Sequence, residues 1–84
     1  MQVAIKLLGA LGDFVPPGKL ESEETTLTLR DGATLAELIG GLELAAGADF
    51  FAMLNDAKID DRAFAATRVR DGDRVVLCAA IKGG

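Results

Sequence analysis

The sequence predicts an α+β fold, a mixed sheet of four to five strands crossed by one helix. Three observations predict it. Two stretches near the start alternate apolar and polar residues, a middle stretch has the apolar spacing of a helix, and the last apolar run is apolar on both faces. A length of 84 residues predicts one domain with a small core.

The first strand is predicted over residues 1–8. Its apolar residues recur every second position, as in a strand with one buried face: Val3, Ile5 and Leu7. Residues 9–19 contain three glycines and two prolines, which predicts an irregular loop with a short turn. We expect Phe14 to fold back from this loop onto the core.

A second strand is predicted over residues 21–30. Leu27 and Leu29 alternate there with Thr26, Thr28 and an arginine, so the β-branched residues would face water. We expect the first two strands to pair as a hairpin with a long connection.

The helix is predicted to begin at Thr34. Thr34 and Glu37 have the spacing of a capping box, in which the two side chains satisfy the first free amides of a helix. The apolar positions that follow have helical spacing: Leu35, Leu38, Ile39 and Leu42. Gly40 and Gly41 weaken the helix, so we expect it to fray near residues 42–44.

Residues 50–54 predict a third strand, buried on at least one side and followed by a turn over residues 55–58. A short return strand is expected to begin at Ile59. Residues 60–67 are polar and rich in alanine, which suggests one helical turn with Phe64 directed into the core.

The last strand is predicted over residues 74–80, after a tight turn at Asp71-Gly72-Asp73. Because it is apolar on both faces, we expect it in the middle of the sheet, with Cys78 as a small core residue. If it lies beside the first strand, the two run parallel, as a right-handed crossover permits. This arrangement is the ubiquitin-like β-grasp.

Composition excludes several classes of function. The net charge is −4 with no tract of Lys or Arg, which makes nucleic acid a poor partner and suits docking on a basic protein surface. With no His and one Cys, the chain lacks the residues for imidazole chemistry, a disulfide or a Cys/His metal site. No apolar run approaches the length of about 20 residues that a membrane span needs, so a cytoplasmic location is expected.

The chain continues from the last strand directly into Ile81-Lys82-Gly83-Gly84. Together with other segments, this ending resembles the small sulfur-carrier proteins of the MoaD/ThiS family over nearly the whole chain. The segments that carry the resemblance are Val3 to Leu8, Phe14-Val-Pro-Pro-Gly18, Asp31-Gly-Ala-Thr-Leu35, Met53-Leu-Asn55, Asp71-Gly-Asp-Arg-Val-Val76 and Gly83-Gly84.

The resemblance implies that Gly84 is the reactive residue. In this family an E1-like adenylating enzyme uses ATP to activate the terminal carboxylate, and a sulfur donor then converts it to a thiocarboxylate. The recipient would be an enzyme such as the molybdopterin synthase large subunit or thiazole synthase, with no cofactor or metal bound to the carrier itself. Gly83 would give access to a narrow channel, and Lys82, Ile81 and Phe14 would contact partners.

The resemblance also implies docking through an exposed sheet face. By composition, Phe14, Phe50, Phe51 and Met53 are expected mostly in the core, with one or two of them on that face. Residues 1–80 would form the β-grasp domain and residues 81–84 a flexible tail.

Three alternatives stay open at this stage. The molybdopterin branch is preferred over the thiazole branch because of the chain length and the Phe-Val-Pro-Pro-Gly loop. The chain could instead be a protein modifier that forms isopeptide bonds, or a binding module with an idle tail. The sequence departs from the family pattern at three places. Ala79-Ala80 stands where many family members have two prolines, Lys82 stands beside the glycines, and Asp56 stands where glycine often forms a turn.

Overall fold

The computed structural model describes residues 1–18, 20, 24–45 and 47–80. In this part of the chain the strands are β1 (Gln2–Leu8), β2 (Glu24–Thr28), β3 (Phe50–Leu54), β4 (Ala57–Ile59) and β5 (Arg74–Ala79). The α-helix α1 is Leu35–Gly41, and two 3₁₀ helices span Gly9–Phe14 and Asp61–Ala66.

The five strands form a single mixed sheet in the order β2-β1-β5-β3-β4. The β1 and β5 strands are parallel neighbours, whereas β1 pairs with β2, β3 with β5 and β3 with β4 in antiparallel fashion. The predicted hairpin, the central position of β5 and its parallel pairing with β1 are therefore confirmed. The protein has the ubiquitin-like β-grasp fold.

The core lies on one face of the sheet, here called the inner face. Because side chains alternate along a strand, every second residue of the central strands points to this face. These residues form one cluster with the apolar residues of α1 and with Leu42, which directly follows the helix. Each member is at most 2% exposed: Val3, Ile5, Leu7, Ala52, Val75, Leu77, Leu35, Leu38 and Leu42. The predicted stripe thus buries the inner face, and the opposite, outer face remains for other contacts.

The start of α1 differs from a complete capping box. The Glu37 amide donates to Thr34 Oγ1 at 3.2 Å, as predicted. The Glu37 carboxylate instead accepts from the Arg30 guanidinium, from Nε at 3.0 Å and through a second contact from Nη2. A hydrogen bond from Arg30 lowers the pKa of Glu37 below its ordinary value.

The hairpin after β3 is tighter than predicted. Asn55 and Asp56 alone form the turn, with φ of 49° and 72°, which is the pattern of a two-residue hairpin. Strand β4 therefore begins at Ala57 and ends at Ile59, so the prediction that the return strand begins at Ile59 was wrong. The 3₁₀ helix that follows confirms the predicted helical turn, and Phe64 is half-buried against the core.

Strand β2 is shorter than the predicted span of residues 21–30. It ends at Thr28, although the Leu29 amide still donates to the Met1 carbonyl at 2.8 Å. Residues 21–23 of the predicted strand lie outside the described residues. Leu27 and Leu29 pack against the core as expected, and Thr26 and Thr28 are exposed.

Candidate functional site

Residues 81–84, which hold the predicted reactive Gly84 together with Gly83, Lys82 and Ile81, lie outside the described residues. The structure describes the point from which they continue. There the Ala80 amide donates to the Asp49 carbonyl at 2.9 Å, which extends the antiparallel pairing of β5 with β3 by one residue. The segment that leads to Gly84 thus begins at a hydrogen-bonded position of the sheet.

This hydrogen bond involves Ala79-Ala80, the positions at which the family that the sequence resembles often has two prolines. A proline at position 80 has no amide hydrogen and could not donate to Asp49. At position 79, the methyl group lies against Gly9, where an added Cβ would be only 3.0 Å from the Ala79 Cβ. Backbone pairing and close packing therefore hold the end of β5 in this chain.

The outer face of the sheet carries partly exposed apolar side chains next to this point. On neighbouring strands Leu8 pairs with Cys78 and Cys78 with Phe51, while Val76 pairs with Met53 one row further along. Leu8 is 39% exposed. We call this group the apolar patch: Leu8, Phe51, Met53, Val76 and Cys78.

Cys78 belongs to this patch and not to the core, so its prediction as a core residue was wrong. In β5 the alternating residues Val75 and Leu77 point to the inner face and are at most 1% exposed, which places Cys78 on the outer face. The strand is apolar on both sides, as predicted, but the described helices cover only one of them. Cys78 has a free thiol of intermediate exposure.

Basic side chains border the apolar patch. Lys58 Nζ lies 5.3 Å from the centroid of the Phe51 ring, within cation–π range. Lys6 pairs across β1 and β5 with Val76, and its Nζ lies 4.0 Å from Glu24 Oε2.

Arg74 lies one row further from Ala80 than the Lys6–Val76 pair. Its Nη2 atom lies 3.2 Å from Asp56 Oδ2. Asp56 follows Asn55 in the hairpin turn, at the end of the sheet opposite to Ala80. The basic residues therefore border the patch along its sides and at its far end, while Ala80 marks its near end.

Phe14 lies elsewhere. It ends the first 3₁₀ helix, is half-buried against the core, and its carbonyl accepts from the Ala45 amide at 2.7 Å. It is not among the outer-face residues, and its role in partner binding stays a prediction. Of the four apolar candidates from the sequence, Phe51 and Met53 are on the outer face, whereas Phe14 and Phe50 pack against the core.

Sequence reasoning missed Leu8 and Val76 as outer-face residues. Side chains alternate along a strand, and Leu8 follows the buried Leu7 while Val76 follows the buried Val75. This alternation alone would have placed Leu8 and Val76 on the outer face. Within the described ranges, no group of three or more His, Cys, Asp or Glu side chains could hold a metal ion. No helix in those ranges is long and apolar enough to cross a membrane.

Comparisons with known proteins agree with this geometry. The chain is similar in fold to one chain in the complex of subunits 1 and 2 of the molybdopterin-converting factor from Helicobacter pylori. The TM-score is 0.62 and the identity 23%, and the match covers all of this chain and all of that one. It is equally similar to the thiamine biosynthesis protein ThiS from Geobacter metallireducens, with a TM-score of 0.62, 23% identity and coverage of 96% of this chain and 99% of that one. SAMP1 from Haloferax volcanii matches over both full lengths with a TM-score of 0.71 and 15% identity.

The fold and these likenesses define a small ubiquitin-like protein. A comparison with curated proteins gave no match. The model of the ThiS family matches residues 6–84, nearly the whole sequence. The chain belongs to the ThiS family, and it is a sulfur carrier of the MoaD/ThiS type.

Proposed function

We propose that the protein carries sulfur as a thiocarboxylate on Gly84 and delivers it in molybdopterin biosynthesis. The observation that carries this proposal is the family match, which extends through Gly83 and Gly84 at the end of a β-grasp domain. The Ala80–Asp49 hydrogen bond supports it, because the residues that follow leave from a fixed point at the end of a central strand. The catalytic groups would belong to partner enzymes.

The chemistry requires activation, since a carboxylate is a poor electrophile. A Gly84 carboxylate oxygen attacks the α-phosphorus of ATP in the E1-like partner, and pyrophosphate leaves. A hydrosulfide equivalent from the sulfur donor then attacks the carbonyl carbon of the acyl-adenylate. AMP leaves with one former carboxylate oxygen, a proton is released, and the thiocarboxylate remains. Because ATP is consumed by the partner, we place this reaction in the cytoplasm.

The molybdopterin branch is preferred because of the chain length and the Phe14-Val-Pro-Pro-Gly18 loop. The likeness to a molybdopterin-converting factor subunit over the full length of both chains supports it. In this branch the recipient is the large subunit of molybdopterin synthase. The thiazole branch is the alternative, and it has an equally similar solved structure.

The proposal is tested by co-expression with the E1-like adenylating enzyme, followed by intact-mass measurement. We expect a mass increase equal to the exchange of one oxygen for one sulfur. A variant that lacks Gly83 and Gly84 is the matched control, because it retains the whole described domain and should show no shift. An unchanged mass for the wild-type chain would contradict the proposal.

The thiocarboxylated protein is then used to identify the recipient enzyme. Incubation with the molybdopterin synthase large subunit and the substrate into which it inserts sulfur should return the carrier to its carboxylate mass, with the sulfur transferred to that substrate, whereas thiazole synthase with its own substrates should leave the mass unchanged. The reverse result would assign the chain to thiamine biosynthesis. Partner lysines that carry a Gly-Gly remnant would favour a protein modifier instead, since the same activated carbonyl would then have reacted with an amine.

A further inference from the structure

We propose that the free edge of β2 binds an extended peptide segment of another protein, which adds a strand antiparallel to β2 and places a branched apolar side chain between β2 and α1. The inference goes beyond the proposed function and involves no residue assigned to sulfur transfer. It concerns the edge of the sheet that lies opposite to β4.

The backbone groups of β2 alternate between paired and unpaired positions. The Met1 amine donates to the Leu29 carbonyl and the Leu29 amide donates to the Met1 carbonyl, both at 2.8 Å. Antiparallel strands exchange such bonds at every second residue, so Leu27 is the next residue bonded to β1. The amides and carbonyls of Thr26 and Thr28 therefore point away from β1. Within the described ranges they have no hydrogen-bond partner.

The β2 edge lacks the features that usually prevent strand addition. Proteins protect edge strands with lysines, prolines or bulges, whereas β2 reads Glu-Thr-Thr-Leu-Thr, with its one charge at the first residue, Glu24. Thr26 and Thr28 thus present two backbone donors and two acceptors. This is the template to which an extended peptide binds in β-strand addition.

A cavity of about 180 Å³ lies beside this edge, between β2 and α1. Its lining is largely apolar, with Leu27 and Leu29 on the side of the sheet and Leu38 and Leu42 on the side of the helix. Gly41 also lines it, and an added Cβ there would have nothing within 4 Å. Because an apolar cavity of about 150 Å³ is large enough to bind benzene, this one has room for a branched apolar side chain.

The edge and the cavity together define the pattern of the bound segment. Residues that pair directly with Thr26 and Thr28 bond to their backbones and point to the outer face with them. The residue between these two lies opposite Leu27 and points to the inner face, where the cavity is. The segment therefore has polar side chains beside the two threonines and a branched apolar side chain between them.

A second copy of this chain fits the edge less well. Antiparallel pairing of two β2 strands about Thr26 would place Thr25 of one copy opposite Leu27 of the other, so a threonine and not an apolar side chain would face the cavity. The strand has five residues, an edge too short to bury the roughly 1,200 Å² of a stable interface between folded proteins. A short peptide suits it better, because main-chain hydrogen bonds and one side-chain pocket supply its affinity.

The β2 edge is separate from the end of the chain. Strand β1 lies between β2 and β5, so a segment bound at this edge would leave Ala80 and the apolar patch uncovered. A protein that contains such a segment can thus hold the carrier while the residues after Ala80 remain accessible.

The test uses a synthetic peptide, Ser-Val-Thr-Ile-Thr-Val-Ser with blocked ends and a fluorescein label, and the full-length protein. Fluorescence anisotropy should show saturable binding. A peptide N-methylated at its two threonines cannot donate to the Thr26 and Thr28 carbonyls and should bind at least about 10-fold more weakly. A peptide N-methylated at its two valines is the matched control, because those amides point away from β2, and it should bind like the parent peptide.

The protein variant Gly41→Leu tests the cavity. A leucine at this position occupies the space beside α1, so binding of the parent peptide should weaken by about 10-fold or more. Gly40→Leu is the matched control, since Gly40 has equally open space but does not line the cavity, and it should bind like the wild type. Thermal unfolding of both variants verifies that they are folded.

Hydrogen exchange locates the bound peptide. The Thr26 and Thr28 amides should exchange freely in the free protein and become protected in the complex. Absence of binding, equal binding of all three peptides, unchanged binding by Gly41→Leu, or protection confined to other strands would each overturn the inference. A wild-type dimer in sedimentation experiments that Thr26→Pro converts to a monomer would also overturn it, because a second copy would then occupy the edge.

The outcome is independent of the proposed function. Gly41→Leu should gain sulfur as the wild type does, since the cavity lies away from the end of β5. If the wild type binds the peptide but is never thiocarboxylated, the peptide site stands and the carrier function falls. If the wild type is thiocarboxylated but does not bind the peptide, the carrier function stands and the peptide site falls.

Discussion

Gly9 and Ala79 approach each other where the first strand ends and the last strand ends. A Cβ added to Gly9 would lie 3.0 Å from the Ala79 Cβ, and Gly9 has a φ of +70°. Both the close contact and the backbone conformation therefore favour glycine at this position. The contact holds the first 3₁₀ helix against the end of β5, directly before the segment that leads to Gly84.

We expect Gly9→Ala to lower the free energy of unfolding by about 2 kcal/mol or more, because the new methyl group adds a clash to an unfavourable φ. Urea denaturation measures the loss. Gly18→Ala is the matched control, since Gly18 has a φ of +81° but nothing within 4 Å of an added Cβ. The Gly18→Ala variant should lose only the free energy that the unfavourable φ costs, about 1 kcal/mol. Equal losses of unfolding free energy in the two variants would show that the close contact with Ala79 does not contribute to the effect of Gly9→Ala.

Gly40→Ala should stabilise the protein. Gly40 lies inside α1 and an added Cβ would have nothing within 4 Å, so the change gains helix propensity without a clash. We expect a gain of about 0.5–1 kcal/mol, seen as a higher urea midpoint. Gly47→Ala provides the contrast, because Gly47 also has open space but a φ of +91°, and it should be destabilised. A lower midpoint for Gly40→Ala would contradict the helical assignment.

Asp56 carries backbone strain that glycine would relieve. Its φ of 72° is unfavourable for a residue with a side chain. Asp56→Gly removes this strain but also removes the exposed ion pair with Arg74. We therefore compare it with Asp56→Asn, which also loses the charge. The glycine variant should be more stable than the asparagine variant by about 0.5 kcal/mol. Thermal unfolding measures the difference, and a more stable asparagine variant would refute the explanation.

The Arg30–Glu37 pair should make stability depend on pH. The hydrogen bond from Arg30 lowers the pKa of Glu37, so the ionised pair adds stability above the pKa that Glu37 has in the unfolded chain. This contribution is lost as the pH falls through the lower folded-state pKa. Glu37→Gln should thus be less stable than the wild type near pH 7, and the difference should shrink in acid.

The control for this pair is the double variant Arg30→Gln/Glu37→Gln. If the two side chains act on each other, the double variant should lose less than the sum of the single losses. Urea midpoints measured from neutral to acidic pH give all the values. A difference between wild type and Glu37→Gln that stays constant over that range would contradict the assigned cause.

Much of the fold could be predicted because local patterns and the global arrangement agree. Thr34 begins the helix as its hydroxyl predicts, and the two apolar faces of residues 74–80 placed β5 in the middle of the sheet. The turn at Asn55 and Asp56 was predicted too long because neither residue is glycine, the usual signal for a two-residue hairpin.

The apolar patch and the lysines beside it were harder to predict. Alternation alone indicates that Lys6 faces away from the core, but its alignment with Lys58 depends on the register of four strands, which no local pattern specifies. Cys78 was assigned to the core because its neighbours are apolar, whereas burial depends on what covers each face of the strand. The reactive role of Gly84 was inferred from the terminal pair of glycines and from the resemblance, and it stays a prediction.

The central position of β5 has a consequence for how the protein is made. Without β5, the sheet would consist of two separate hairpins, β1-β2 and β3-β4, with no strand between them. Contacts this distant in sequence slow folding, and the sheet closes only after β5 has been synthesised. The apolar patch also joins the hairpins through Val76 and Cys78. A partner that binds this patch would therefore select finished molecules over incomplete ones before any sulfur is committed to them.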